Sequence, residues 1–273
     1  MNGPVGLHGG GEYLAGDEPF LDALLDAAAI AARRRGTAGA LASANTGDGP
    51  PGSGGNGHAP APVGAIRIVI LPTAAARGLP DRAAANGRAA LIRRAAAMGR
   101  HVIVEVARVV DAASAADPTE LLRLADADLI HLPGGDPDLI PDTLAGSPAL
   151  DTIETAWSRG AVIAGASAGA MALAEWTWTP AGGIRGLGFV RGLAVVPHYD
   201  DIRLTAWQNA LDELAPGGIG YLGLDERTGV ISMPDGRDDN DWRVAGTGAA
   251  YWFARGAAEP LVGRHGDVVH LPA

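Results

Sequence analysis

From residue 66 to residue 164 the chain repeats one pattern: a short, unbroken apolar run, then a segment of helical period. The runs are Ile66–Leu71, Val102–Val106, Leu129–Leu132 and Val162–Ala164, and the helical segments are 81–99, 118–125 and 148–159. A strand that is apolar at every position must be covered on both faces, and a parallel sheet with crossover helices does that. The pattern therefore predicts an α/β fold, a mostly parallel sheet flanked by helices. A short strand at 4–8 and a helix at 17–35 precede it, the helix carrying Phe20, Leu21, Leu24, Leu25 and Ala28 at helical spacing. After residue 190 the strands crowd together: Leu193–Val196, Tyr221–Leu224, Gly229–Met233, Arg243–Thr247, Tyr251–Phe253 and Val268–Leu271. One helix, 203–214, interrupts them, and their density predicts a C-terminal antiparallel extension of the same sheet.

Between these parts, residues 36–64 are almost entirely Gly, Ala, Pro, Ser, Asn and Thr. Such a stretch buries too little apolar surface to offset the entropy of ordering, so a flexible Gly/Pro-rich insertion is expected there. A single domain spanning 1–273 is expected to carry it. With 273 residues, 47% of them apolar, the chain has ample material for a core.

Composition also removes function classes. The net charge is −10 and Arg33-Arg34-Arg35 is the one basic run, so no nucleic-acid partner is expected. All 21 basic residues are arginine, which excludes a Schiff-base lysine and a P-loop lysine. The absence of cysteine excludes disulfides, thiolate metal sites and a cysteine nucleophile. No signal peptide is read in MNGPVGLHGGGEY, and no apolar run reaches the ~18–20 residues of a membrane span. A cytoplasmic protein without a membrane partner is expected. No metal-ligand spacing such as HExxH occurs, so neither a metal nor another cofactor is expected.

One segment carries chemistry. In Gly165-Ala166-Ser167-Ala168-Gly169 a serine sits between a strand and a helical segment. Flanking glycines let the backbone fold back sharply there, lifting the hydroxyl above the sheet and leaving the following N–H as an oxyanion donor. Carboxyl ends of strands are where α/β sheets bind ligands. A plain turn serine capping a helix is the bland alternative.

A nucleophilic serine needs a base, usually histidine, and a group that orients it. His58 falls in the insertion, His101 and His131 belong to apolar strands, and His265 and His270 lie near the last strand. His8 precedes three glycines. His198 follows the strand LAVV in Pro197-His198-Tyr199-Asp200, again at a carboxyl end, and is the candidate base by position.

His8-Gly9-Gly10-Gly11 with the serine motif resembles the α/β-hydrolase esterases, whose base would be His265 or His270. The spacing is against it: the HGGG run lies at the extreme N-terminus, ahead of the core strands and far from Ser167. A second resemblance spans nearly the whole chain. Gly9-Gly10-Gly11-Glu12, Pro133-Gly134-Gly135-Asp136 and Gly165–Ala170 come first. Gly186-Leu187-Gly188-Phe189 leading to Pro197-His198-Tyr199, and then Gly223-Leu224-Asp225-Glu226-Arg227-Thr228, complete the order. This order is similar to that of the cyanophycinase and aspartyl-dipeptidase group of serine peptidases, whose sheet is flavodoxin-like and resembles class I glutamine amidotransferases.

The resemblance implies a Ser-His-Glu triad of Ser167, His198 and Glu226 cleaving a peptide or isopeptide bond next to an acidic residue through an acyl-enzyme. It implies an oxyanion hole from the backbone of Ala168 and of Gly135 and Asp136. Glu12 and Pro137 are the positions it suggests for substrate contact, although Pro137 replaces the family's Asn or Gln and offers no amide donor. In the segment from Trp176 to Arg191, Arg185 or Arg191 is the candidate to meet an acidic substrate group, with a plain surface charge as the alternative. Asp225 competes with Glu226, and strand alternation allows only one of them to reach His198. The implied partner is a small peptide or isopeptide, with homodimer formation open. A catalytically silent, ligand-binding member of the group is the remaining reading.

Overall fold

The computed structural model describes residues 2–46, 64–179, 182–200, 213–233, 241–257 and 259–271, with Trp207 and Asn209. The chain order begins β1 (Val5–His8), α1 (Glu18–Thr46), β2 (Ile66–Ile70), α2 (Pro80–Ala97), β3 (Val102–Val106), α3 (Pro118–Ala125) and β4 (Leu129–Leu132). Next come α4 (Leu139–Leu144), α5 (Pro148–Ser158), β5 (Val162–Ala166), α6 (Ala168–Leu173), β6 (Trp176–Thr179), β7 (Gly182–Arg185) and β8 (Leu193–Val196). The chain closes with β9 (Gly220–Leu224), β10 (Thr228–Ser232), β11 (Asp241–Gly246), β12 (Ala249–Phe253), β13 (Leu261–Arg264) and β14 (Val268–His270).

The main sheet has eight strands in the order β14-β11-β10-β1-β5-β4-β2-β3. Strands β1, β5, β4, β2 and β3 are mutually parallel, and β10, β11 and β14 extend them antiparallel on the β1 side. This is the expected flavodoxin-like α/β architecture. Alternation along β2 sorts its side chains to the two faces. Ile66, Ile68 and Ile70 meet Phe20, Leu24, Leu25 and Leu91 of α1 and α2, while Val69 joins Leu124 and Ile153 of α3 and α5 on the other face. Short N-terminal caps close the latter helices: Asp117 accepts from Thr119 N–H and Ser147 from Leu150 N–H, each with proline in the first turn.

Three expectations need correction. The late strands do not all join one sheet: β13, β12, β9 and β8 form a second, four-stranded sheet, within which β8 and β9 are parallel. Second, α1 continues to Thr46, so residues 36–46 are helical rather than part of a flexible insertion. Its alanines at 38, 40, 42 and 44 and Leu41 are strong helix formers, and they outweigh Gly36 and Gly39. Residues 47–63 and most of the 203–214 helix lie outside the described residues. Third, the HGGG run is not ahead of the core. It begins at the last residue of β1, which lies in the interior of the main sheet between β10 and β5. The hairpin β6–β7, the short α4 and β13 were not anticipated from the sequence.

Candidate active site

The carboxyl ends of β1, β4 and β5 lie side by side, with His8 opposite Ala166 and Leu132 opposite Gly165. Three loops therefore leave the same edge: Gly9–Tyr13, Pro133–Asp138 and the turn at Ser167. The second sheet brings two more. His198 N–H donates to Gly9 O at 2.7 Å, and Arg227 N–H donates to Gly10 O at 2.8 Å, pinning the loops after β8 and β9 onto the glycine run after β1.

Ser167 has φ 48° and ψ −114°, a conformation that favours glycine. Strain of this kind is held by surrounding contacts and gathers at functional sites. Here Ser167 N–H donates to His8 O at 2.9 Å, and Ser167 O accepts from Met171 N–H at 3.0 Å. The motif's glycines are steric necessities. A Cβ at Gly165 would stand 2.3 Å from the Gly169 carbonyl carbon, and one at Gly169 would stand 2.1 Å from Leu132 O. Among the described residues, the other non-glycine residues with positive φ are Tyr13, His198 and Arg227. Each of them belongs to one of the loops around Ser167.

Ser167 Oγ lies 3.0 Å from His198 Nε2, and His198 Nδ1 lies 2.8 Å from Glu226 Oε1. An ionised carboxylate only accepts, so in the neutral ring Nδ1 carries the proton, and Nε2 is left to accept from the Ser167 hydroxyl. Such a relay can draw a proton from the hydroxyl and return it. His198 and Glu226 are about one-third exposed, which leaves the relay open to a ligand. Gly10 makes room for the imidazole: a Cβ there would stand 2.2 Å from His198 Cε1. Asp200 Oδ1 accepts from Glu226 N–H at 2.9 Å and fixes the peptide that carries the carboxylate.

Asp225 faces the other way. Its Oδ2 accepts from Ala249 N–H at 2.8 Å in the second sheet, and burial raises its pKa. Alternation past the end of β9 thus separates the two neighbouring acids as expected.

Ala168 opens α6, and its N–H is one of the unbonded amides of a first helical turn. In the turn after β4 only one of the two expected amides is without a partner among the described residues. Gly135 is exposed, and nothing among the described residues accepts from its N–H. Asp136 N–H donates to Ala74 O at 2.8 Å and is not free for a ligand. Asp136 is therefore withdrawn as an oxyanion donor.

A cavity of about 600 Å³ opens beside this turn, lined by Glu12, Tyr13, Pro133, Gly135 and Asp136 and, from α2 and the loop before it, Arg77, Arg82 and Asn86. Pro137 is not among its lining residues. Arg185 is displaced altogether. It lines a separate cavity of about 470 Å³ with Asn2, Trp157 and Arg191, beside the amino end of β1 and the end of α5. α6 leads away from Ser167, and Arg185 pairs with Trp176 just past its far end, so Arg185 lies away from Ser167 at the end of the sheet where β1 begins.

Sequence reading assigned no role to the buried groups behind the glycine loop. His8 Nε2 stands 2.7 Å from Asp17 Oδ1, and Tyr13 Oη lies 3.1 Å from His131 Nδ1. Burial lowers the His131 pKa to about 4 and raises that of Tyr13, so the ring is neutral and the phenol donates to it. The apolar context of His131 in β4 signalled its burial, but no local pattern signalled Tyr13.

The model of peptidase family S51 matches residues 65–232, more than half of the chain. The chain belongs to peptidase family S51. A peptidase from an acI-B1 Actinobacterium has the same fold, with a TM-score of 0.72 and 24% identity over 99% of this chain and 98% of that one. A protein from Listeria monocytogenes EGD-e assigned as Peptidase E is similar over 67% of this chain and 87% of its own, with a TM-score of 0.47 and 16% identity. No curated protein matches the chain. Family membership makes this chain a serine-peptidase-type hydrolase. It also displaces the esterase reading, as does position. His270 lies on β14, separated from β5 by β11, β10 and β1, and its Nδ1 is 3.2 Å from Asp241 Oδ1. Among the described residues no helix is long and apolar enough to cross a membrane.

Proposed function

We propose that this peptidase hydrolyses a peptide or isopeptide bond through an acyl-enzyme formed on Ser167, with His198 as general base and acid and Glu226 as its orienting carboxylate. The observation that carries this reading is the unbroken Ser167–His198–Glu226 hydrogen-bond chain, at 3.0 and 2.8 Å. Ser167 Oγ attacks the carbonyl carbon as its proton passes to His198 Nε2, and the carbonyl π pair moves onto oxygen. Collapse of the tetrahedral intermediate breaks the C–N bond, and the imidazolium returns its proton to the leaving amine. Water then repeats the sequence on the ester and releases the acid and free Ser167. Glu226 stabilises the imidazolium in both halves. Ala168 N–H and Gly135 N–H are the donors suited to the oxyanion, each contributing about 3–4 kcal/mol in comparable sites.

The substrate reading is an acidic residue beside the scissile bond. Arg82 supports it: it faces the cavity next to the oxyanion turn, and no carboxylate among the described residues pairs with it. Arg77, by contrast, is already paired with Asp136 at 3.0 Å.

Labelling with a serine-directed fluorophosphonate tests the mechanism. Wild type is expected to label on Ser167, Ser167→Ala not at all, and His198→Ala at least about 10³-fold more slowly. His270→Ala is expected to label as wild type does. Retention of labelling in Ser167→Ala would overturn the assignment of the nucleophile.

A further inference from the structure

The turn after β4 presents three successive amides to its surroundings, and two of them are taken. Gly134 N–H donates to Glu12 Oε1 at 3.0 Å, and Asp136 N–H donates to Ala74 O at 2.8 Å. Gly135, at φ 157°, lies between them with its N–H unpaired among the described residues. The turn has little freedom to rotate. A Cβ at Gly135 would stand 2.2 Å from Ala74 O, and one at Gly134 would stand 3.1 Å from Glu12 Oε1 and 3.2 Å from Ser167 Cβ. Carboxylate, glycine turn and nucleophile thus meet at one point.

A carboxylate in this place calls for an explanation. Negative charge develops on the substrate oxygen beside Ser167, and a nearby anion opposes it. No arginine among the described residues pairs with Glu12, and its one hydrogen bond there is to Gly134 N–H. The loop that carries it is fastened on both sides. Tyr13 N–H donates to Asp17 Oδ2 at 2.9 Å, and Gly10 O accepts from Arg227 N–H at 2.8 Å.

We propose that Glu12 is a positioning residue: by holding the Gly134 amide it sets the turn so that Gly135 N–H, and not its neighbours, faces the oxyanion. The inference rests on the reading of Ser167 as nucleophile. It replaces substrate contact as the role of Glu12.

The test compares Glu12→Gln, Glu12→Asp and Glu12→Ala by the second-order rate of fluorophosphonate labelling, a probe without an amino group. Glutamine keeps an accepting Oε1 at the same reach. Aspartate keeps the charge but is one methylene short. Gln is expected within about 3-fold of wild type, and Asp and Ala about 10²-fold slower, the usual effect of losing an oxyanion donor. Amide exchange of Gly134 reads the same contact without chemistry, and protection is expected in wild type and Gln but not in Asp or Ala. Wild-type labelling rates in Ala and Asp would overturn the proposal, as would a Gly134 amide equally protected in all four proteins. Slowing in Gln as large as in Asp and Ala would also overturn it, because substrate or charge recognition would then be the role. Failure of the Ser167 reading is seen separately, as label surviving in Ser167→Ala, and the exchange measurement still judges Glu12.

Discussion

Ser167 is held where an L-residue pays a conformational penalty, and that fact can be read out independently of activity. Its backbone, at φ 48° and ψ −114°, costs on the order of 1–3 kcal/mol for a residue with a Cβ. Alanine keeps the Cβ and so keeps the strain. Glycine removes it, at a cost of about 0.4–1 kcal/mol from the freer unfolded chain. Relief of strain outweighs that cost, so Ser167→Gly should be inactive yet melt about 2–4 °C above Ser167→Ala. Equal melting temperatures by calorimetry would mean that the turn is unstrained. Gly10 makes the complementary prediction. A Cβ there would overlap His198 Cε1 at 2.2 Å, and its φ is 108°. Gly10→Ala should displace the imidazole and slow fluorophosphonate labelling by at least about 10²-fold, with the fold retained by circular dichroism.

At the scale of elements, β4 and the loop after β1 are linked by a buried, pH-sensitive contact. His131 is 1% exposed and neutral in the fold, with its pKa pushed from 6.5 down to about 4 by burial. Between those two values the unfolded chain takes up a proton that the folded chain refuses. The stabilisation is therefore complete above pH 6.5 and is lost as pH falls toward 4, to the extent of ~3 kcal/mol. Urea titrations at pH 7 and pH 4.5 should show this loss in wild type and a markedly smaller one in His131→Gln. An identical pH dependence in both proteins would remove His131 as its source. Much of this scale was readable in advance. Val102–Val106, Pro118–Ala125, Leu129–Leu132 and Leu193–Val196 fall where the apolar runs and helical period placed them. The helix over 36–46 did not, because glycine and polar residues masked an alanine-rich propensity. The hairpin β6–β7 did not either: Trp176–Thr179 alternates strictly, but no two-residue turn signal such as Asn-Gly follows it, and the Gly182-Gly183 pair that opens β7 has poor strand propensity.

At the scale of the molecule, two sheets meet at one edge, and α2 overhangs it. Arg82 and Asn86 lie one turn apart on that helix and face the cavity beside Gly135. Both are exposed, so a single ion pair there is worth at most about 1 kcal/mol. Arg82→Glu should lower kcat/KM for peptides with an acidic residue next to the scissile bond by about 5-fold or more and leave neutral peptides nearly unchanged. Equal effects on both peptide sets would place the acidic group elsewhere.

What the sequence determined by itself is local. Runs apolar at every position require a covered parallel sheet, and Gly165 and Gly169 can flank Ser167 only where backbone comes close. The motif order around Ser167, His198 and Glu226 pointed to three loops that the structure brings together. Tertiary structure decided the rest. Asp225 or Glu226 was a question of which face of β9 meets the main sheet, answered by Ala249 N–H and His198 Nδ1. Asp136 lost its free amide to Ala74, more than sixty residues earlier, and Arg185 was carried to the far end of the sheet by a hairpin that follows α6. Period and propensity act over a few residues. The hydrogen bonds that assemble this site join segments far apart in the chain, and those partners exist only once the two sheets have packed.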